Sequence, residues 1–563
     1  MSKRSRAVVY GRQVASYYLG PAVLLGCLGA SVSAQVKLPP AIDAGAIQRR
    51  TMEQDQRLQE GADRPPAVLK PLDKQALPAP RIQSLTARFY LKHIEFTPSE
   101  ILKTEDLASL AREFEGREVT MGDLQTLLDK IIQRYRKLGV VTAEPILPQQ
   151  QVVDGTVKIR LIEGHIGKIF VEGAKDTSVN YVKEWIKQPA GSLPDITVLE
   201  QELIRFNRTN DAQLAAELKP GGVFGESDVH MKLIEPPKND LRFYVDNQGS
   251  HSTGDVRTGL MYQNHSLFGL RDGLALNYSR TTGLAGYGVN YSLPINTWGT
   301  RLAAAYNFDK TRVVYGSFKD LQITGEAKSY GTDLRHPLYF DSERYLEGSV
   351  GFSKREVLSW TGGVELQDMR TADKHLALDW QAVDELGYWT AALTYLSGHA
   401  QASDAQGKNY HLTRANFRRV QDLAPGWSLH GTASFQVTGD NLLPSSEQFM
   451  IGGEGTVRGY QMGLYSGDSG RVISAELHHP IPLDIGNQTK LSGYFLLDHG
   501  ITKPYRPVGS DLGVDEINGG GWGCALSYDK WLTSRVTLGI PLRHRPEENK
   551  NYYITAQIVA TLF

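Results

Sequence analysis

From residue 241 to residue 563 apolar and polar side chains alternate in short runs broken by Gly, Asn and Asp. Residues 428–437 do so strictly: Leu429, Gly431, Ala433, Phe435 and Val437 share one face, and Ser428, His430, Thr432, Ser434 and Gln436 share the other. A period of two belongs to strands. Residues 273–279, 301–308 and 387–396 follow the same rule more loosely. Strands with one apolar and one polar face suit a membrane barrel with a wet interior. A soluble all-β domain is the alternative, and so long a run of strands with no helix between them weighs against it.

Ahead of residue 241 the period lengthens. After a strand at 89–96, Leu107, Leu110, Ala111 and Phe114 mark one helix, and Leu124, Leu127, Leu128, Ile131, Ile132 and Tyr135 a second. Thr120 with Asp123 predicts a cap for the second helix. Strands at 143–152 and 156–162 close the module. The order then repeats, with a strand at 166–171, a helix at 181–187, and a capping box of Thr197 with Glu200 ahead of Leu199, Leu203 and Phe206. A strand at 213–218 follows. The closing strands, residues 157–163 and 229–235, are near copies 72 residues apart. A β-α-α-β-β unit repeated at that spacing predicts two small α+β domains, each read as a core-packed binding module without chemistry of its own.

Residues 41–60 read as a helix with Gln, Arg, Glu and Asp nearly all round it. A helix polar on every face is solvated or sits inside something wet. Residues 61–80 hold five prolines, Pro65, Pro66, Pro71, Pro78 and Pro80, and read as an extended linker. Further forward, Lys3, Arg4, Arg6 and Arg12 precede an apolar stretch at 21–32 and the small residues Ser33 and Ala34. That is a secretory signal with cleavage between Ala34 and Gln35. A lipoprotein signal at Cys27 is the rival, but Leu25 is large for its position and the apolar run before Cys27 is short. Cleavage would leave Cys524 as the single thiol, so no internal disulfide is expected. No later run of 18 apolar residues predicts a transmembrane helix. The formal net charge of −1 gives no electrostatic case for nucleic acid.

The sharpest segment begins at Leu443, Pro444 and Ser445 and runs through Gly452, Gly453 and Gly455 to Val457, Arg458, Gly459 and Tyr460, with Ser466 to Gly470 after it. Glycines at 452, 453, 455 and 459 permit a tight hairpin in a crowded space, and a lone cation there needs a fixed acidic partner. This segment closely resembles the signature of the two-partner secretion transporters, the filamentous-haemagglutinin and haemolysin transporter family. In that family the Val-Arg-Gly-Tyr/Phe element tips an extracellular loop folded back into the barrel, and the arginine pairs with an Asp of a Phe/Gly-x-Asp-x-Gly strand. Here that strand matches Leu496, Asp498 and Gly500, so Asp498 is the implied partner; Leu496 departs from the family's first position, with Phe495 adjacent. The resemblance extends to Gly155, Val157, Ile159, Leu161 and Glu163 at the end of a POTRA (polypeptide-transport-associated) domain. It continues at Asp246 to Gly249 with Arg257, at Asn264 and at 291–294 in the barrel, and at Phe563 as an assembly signal.

The resemblance implies an all-β membrane barrel of 16 antiparallel strands, preceded by two α+β POTRA domains and an N-terminal plug helix. It divides the chain into a signal peptide at 1–34, plug helix and linker at 35–84, POTRA domains at 85–164 and 165–237, and the barrel at 238–563. The implied function is capture of an unfolded partner exoprotein in the periplasm and its secretion through the outer membrane. The implied partners are an exoprotein with a haemagglutinin-type N-terminal secretion domain, outer-membrane lipids, and the barrel assembly machinery with periplasmic chaperones during biogenesis. A barrel-assembly or autotransporter-assembly factor of the same superfamily is the alternative, though these normally carry more POTRA domains. A porin lacks both the POTRA domains and the loop motif. No nucleophile elbow, zinc-protease motif or phosphate loop occurs, so neither enzyme chemistry nor a cofactor nor a metal is expected. Gly519, Gly520, Gly521 and Gly523 read as a strand with close neighbours, and His478 and His479 as ordinary lumenal or exposed histidines before Pro480.

Overall fold

The computed structural model describes residues 38–60 and 88–563, apart from 139, 141, 404–406, 424, 441, 484–487, 505–512 and 544–549. The signal sequence with Ala34 and Gln35, and the proline-rich stretch, lie outside the described residues. Sixteen antiparallel strands close into a barrel, from Asn239–Asp246 round to Tyr553–Thr561, which pairs back onto the first strand. Closure leaves no sheet edge, so every strand finds backbone partners without water, as a lipid setting requires.

Alternation sorts the side chains between lipid and lumen. Leu276, Leu376, Phe495, Leu497, Trp522 and Ile554 stand exposed on the outer face, where acyl chains cover them. Inward, Asp246, Arg257, Asp309, Asp373 and Gln436 are buried. The 428–437 alternation follows this division: Leu429 and Val437 face outward and Gln436 inward. Strands run from 8 residues in Asn239–Asp246 to 21 in Val364–Asp384, and the longest go well beyond the roughly 10 needed to cross the hydrocarbon layer. One side of the wall therefore projects past the membrane. Phe563 lies just past the last strand, where its carbonyl accepts from Leu241 N at 3.1 Å.

Each periplasmic unit has a separate core. In the first, helices Thr104–Arg112 and Met121–Lys137 bury Leu107, Leu124, Leu127, Ile131 and Tyr135 against Val157 and Ile159. Thr120 and Asp123 form the reciprocal capping box at the start of the longer helix. The sheet departs from expectation in two places. The 89–96 strand is broken at Lys92: Arg88–Leu91 pairs with Arg117–Thr120, whereas His93–Phe96 pairs in parallel with Thr156–Glu163. The strand at 143–152 stops at Ile146. Pro148 follows, and a proline has no N–H for the ladder; instead the Gln150 side chain accepts from Lys158 N at 2.8 Å and donates to its carbonyl at 2.7 Å.

In the second unit, helices Val179–Glu184 and Ile196–Thr209 pack Tyr181, Trp185, Leu199, Leu203 and Phe206 against Val229 and Met231. Asp195, not Thr197, caps the longer helix and accepts from Val198 N at 3.0 Å. Its backbone is extended while Thr197 already lies within the helix, and an aspartate is at least as good a cap as a threonine. The sheet order is His165–Glu172, Glu226–Ile234, Gln213–Pro220.

This second unit is seated on the periplasmic turns of the barrel. Ser178 N donates to the Gly269 carbonyl at 2.8 Å, and Ser266 Oγ to that of Asp176 at 2.9 Å. At the centre Arg271, its side chain without exposed surface, donates through Nε to Asp211 Oδ1 at 2.7 Å, while His265 reaches the other carboxylate oxygen. Burial pushes the Asp211 carboxyl up, but His265 and Arg271 outweigh it and hold it below its usual range. Its contribution is thus full above the ordinary carboxylate value and is lost as pH falls through the lowered one. Asp211→Ala should strand the Arg271 guanidinium at a cost of about 1–3 kcal/mol. The expected result is faster limited proteolysis between the second unit and the barrel; an unchanged rate would mean the remaining contacts hold this joint.

Candidate functional site

Two segments occupy the lumen. The first is the polar helix, Ala44–Glu60. Its Gln48 side chain donates to Asp309 Oδ2 at 2.7 Å and to the Ala327 carbonyl at 2.8 Å. Asp55 Oδ1 accepts from Arg257 at 2.9 Å and from the Tyr244 hydroxyl at 3.0 Å, and Arg257 also donates to Asp246 at 2.9 Å. The closest approach to the wall is made by small residues: a Cβ at Gly45 would stand 2.7 Å from Val357, and one at Gly325 equally close to Ala44. A helix with no apolar stripe is thus packed by polar partners on several sides, which resolves the two readings of its sequence in favour of a wet interior.

The second is the segment between strands Ser428–Thr438 and Ser469–Ile481. Its base is a short hairpin in which Phe449–Ile451 pairs with Tyr465–Gly467. The chain turns back through Gly452, Gly453, Gly455 and Gly459, all at positive φ between 84° and 109°, where a Cβ would be strained. At the tip Arg458 Nε and Nη2 grip the two oxygens of Asp498 at 2.8 and 2.7 Å, and the Arg458 backbone N donates to the same carboxylate at 3.0 Å. This side-on fork is the strong arginine–carboxylate arrangement. Nη2 also donates to Ser474 Oγ at 2.9 Å, and Nη1 to Glu476. Arg535 donates to that same Glu476 oxygen at 2.7 Å.

The residues flanking Arg458 explain the glycines of the wall. Val457 is fully buried with Ile451, Val472 and Ile517, and a Cβ at Gly500 would meet it at 2.5 Å. A Cβ at Gly519 would lie 2.0 Å from the Arg458 carbonyl, and one at Gly539 lies 2.4 Å from Gly459 N. The Tyr460 hydroxyl reaches the carbonyls of Asn518 and Arg543, each at 2.8 Å. Gly519 and Gly539 therefore form a groove in which loop backbone lies against strand backbone, while Gly520, Gly521 and Gly523 meet only other wall residues.

The structure thus brings Val457, Arg458, Gly459, Tyr460, Asp498 and Gly500 into one cluster, with Gly452, Gly453 and Gly455 forming the turn that delivers them. Sequence reasoning missed Ser474 and Glu476, although their even spacing with His478 on an alternating strand puts all three on one face. It also missed a second clamp of reversed polarity. Glu447, buried at the loop base, takes Arg355 at 2.7 Å and Arg414 at 2.9 Å from the wall, and helix residue Arg49 donates to the neighbouring Ser446 carbonyl at 2.6 Å. Loop, helix and wall form one connected network.

A closed barrel holding this loop, behind an α/β periplasmic unit, corresponds to known proteins. The family profile described as haemolysin secretion/activation protein ShlB/FhaC/HecB matches residues 225–526, and a ShlB-type POTRA domain profile matches residues 89–164. The chain belongs to this family. It is similar to the heme/hemopexin transporter protein HuxB of Haemophilus influenzae, 27% identical over 441 residues covering 74% of this chain and 77% of that one. It also resembles the outer membrane transporter CdiB of Dickeya dadantii, 23% identical over 485 residues, 81% of this chain and 83% of that one. The fold matches the structure of CdiB from Escherichia coli with a TM-score of 0.65 at 17% identity, covering 94% of this chain and all of that one. The protein is a two-partner secretion transporter of the outer membrane, with its POTRA domains in the periplasm, and it carries a partner exoprotein outward through its barrel.

Proposed function

We propose that the lumenal helix and the Arg458 loop are the movable parts of this transporter, and that its periplasmic sheets receive the cargo. In this reading residues 1–34 are the removed signal, cut between Ala34 and Gln35. Residues 85–164 and 165–237 are the two POTRA domains, and 238–563 the conducting barrel with Phe563 as its assembly signal. The cargo is an unfolded exoprotein with a haemagglutinin-type N-terminal secretion domain. The observation that carries the reading is the way the lumen is filled. Helix and loop are held to the wall by many hydrogen bonds and ion pairs, which water and a passing chain can replace one at a time, and by small apolar clusters around Ala44 and Val457. An apolar plug would have to expose its whole face at once.

Capture follows from sheet edges. His165–Glu172 and Gln213–Pro220, eight residues each, lie at the edges of the second sheet. An extended chain adds to such an edge through backbone hydrogen bonds, with nearby apolar side chains setting preference. Phe170, on the outer face of one edge, is exposed and stacks on His230 with centroids 4.8 Å apart. A fragment spanning residues 85–236, which contains both cores, should bind the N-terminal domain of the cognate exoprotein while that domain is unfolded. Affinity should be on the order of micromolar, as for other small transient interfaces, and should weaken with salt. Equal binding to the folded domain would exclude strand addition. With no nucleotide-binding motif in the chain, folding of the cargo outside the cell supplies the direction of transport.

A further inference from the structure

On the lumenal face near Arg458, two imidazoles and a carboxylate converge whose arrangement the loop clamp does not explain. His430 lies on strand Ser428–Thr438, and Glu476 and His478 on the adjacent strand Ser469–Ile481. The register sets His430 opposite Glu476 and Ser428 opposite His478. Alternate positions on paired strands share a face, so all three side chains point into the lumen together. The imidazoles of His430 and His478 stack with centroids 4.0 Å apart and rings inclined by 18°, and Tyr494 stacks on His478 at 4.9 Å. His478 Nε2 is 2.7 Å from Glu476 Oε2. One nitrogen from each histidine and one oxygen of Glu476 all lie within 4.8 Å of one another.

The two oxygens of Glu476 face different neighbours. Oε1 accepts from Arg458 and Arg535, while Oε2 is turned to the histidines. The charges around this point are Arg458 and Arg535 against Glu454, Glu476 and Asp498. The Arg57 guanidinium, against Gly455 beside Glu454, brings cations and acids level when the imidazoles are neutral, so an added cation meets no net positive charge. Two imidazole nitrogens and one carboxylate oxygen are the donor set of borderline divalent ions, bound at about 2.0–2.2 Å with a fourth position left open. For an ion to lie in the plane of both imidazoles, the stacked rings must rotate apart about χ1 and χ2 and the 2.7 Å contact between His478 and Glu476 must open to admit it.

We propose that His430, Glu476 and His478 form a binding site for a divalent transition-metal ion, zinc being the best fit, open to the lumen on its fourth side. Metal on Oε2 withdraws charge from the carboxylate that also holds Arg458. Occupancy of the site is therefore coupled to the strength of the loop clamp, and the open position can take a water molecule or a donor side chain of the passing chain.

The test uses the full-length chain without a histidine tag, purified in detergent and stripped with a chelator, then titrated with Zn²⁺ by calorimetry. The same titration is made on His430→Gln, His478→Gln and His479→Gln, with heat-modifiable migration on gels showing that each barrel is folded. The His479 ring lies beside Trp427, with centroids 4.4 Å apart, at the neighbouring strand position of opposite facing, and serves as the control. The expected result is one Zn²⁺ per chain, bound about 10–100-fold more weakly by His430→Gln and by His478→Gln and with wild-type affinity by His479→Gln. If His478→Gln fails to fold, His430→Gln decides alone. Absence of saturable binding by the wild type, or equal affinity in the folded His430 variant, overturns the proposal.

Discussion

Replacing Arg458 by alanine is expected to abolish or sharply reduce secretion of the partner exoprotein while the transporter still reaches the outer membrane as a folded barrel. The substitution removes the guanidinium donors from the loop tip and leaves the Asp498 carboxylate, which has no exposed surface, with Ser474 Oγ at 2.6 Å and the backbone N of residue 458. Breaking a buried pair from one side costs about 3–5 kcal/mol, because the surviving charge is left under-compensated. The barrel itself loses nothing, since its ladder does not involve the loop. The cost therefore falls on loop position rather than on assembly. Glu476 keeps Arg535 and His478, so the wall side of the site should persist. Arg458→Lys should rescue only in part: an ammonium retains the charge but not the fork that spans both oxygens of Asp498. The measurement is exoprotein in the medium against transporter in the outer-membrane fraction. Normal secretion by Arg458→Ala would remove the loop from the mechanism.

What the sequence made legible follows the range of each signal. Period-two alternation is local, and the barrel could be read from 428–437 and its looser relatives without any distant contact. The loop tip is legible through its resemblance to the family signature, which survives in one sequence because Val457, Arg458, Gly459 and Tyr460 are contiguous. The capping box at Thr120 and Asp123 is local too, and it stands as read. The misplaced cap at Thr197 shows the limit of that reasoning: two adequate capping residues two positions apart differ only in which one the backbone leaves extended. The break at Lys92 depends on two partners far along the chain, residues 117–120 and 156–163, and no property of 89–96 alone reveals it. The same holds for the clamp at the loop base. Nothing in Ser446 or Glu447 points to Arg355 and Arg414, since register across several strands decides which lumenal arginine faces which carboxylate. The proximity of His430 to His478 is invisible in the sequence for the same reason, the two lying on different strands.

Deleting residues 41–60 should raise single-channel conductance in planar bilayers, with secretion largely kept. A helix with its side chains is about 10–12 Å across, and this one lies inside the barrel along strands Arg301–Arg312, Ile323–Phe340 and Arg344–Thr361. Its removal opens a water-filled path of comparable width, so a clear increase in conductance is expected. The wall should tolerate the loss. Arg257 keeps Asp246 at 2.9 Å, and the remaining freed groups, such as Asp309 and the Ala327 carbonyl, gain water in place of Gln48. The loop keeps its own clamps through Arg458 and Glu447, so the deletion separates the two lumenal segments experimentally. Combined with Arg458→Ala, it should give conductance at least as high as the deletion alone but little secretion, because pore width and loop position then vary independently. Unchanged conductance after the deletion would mean that the loop alone limits the ion path and that the helix does not plug it.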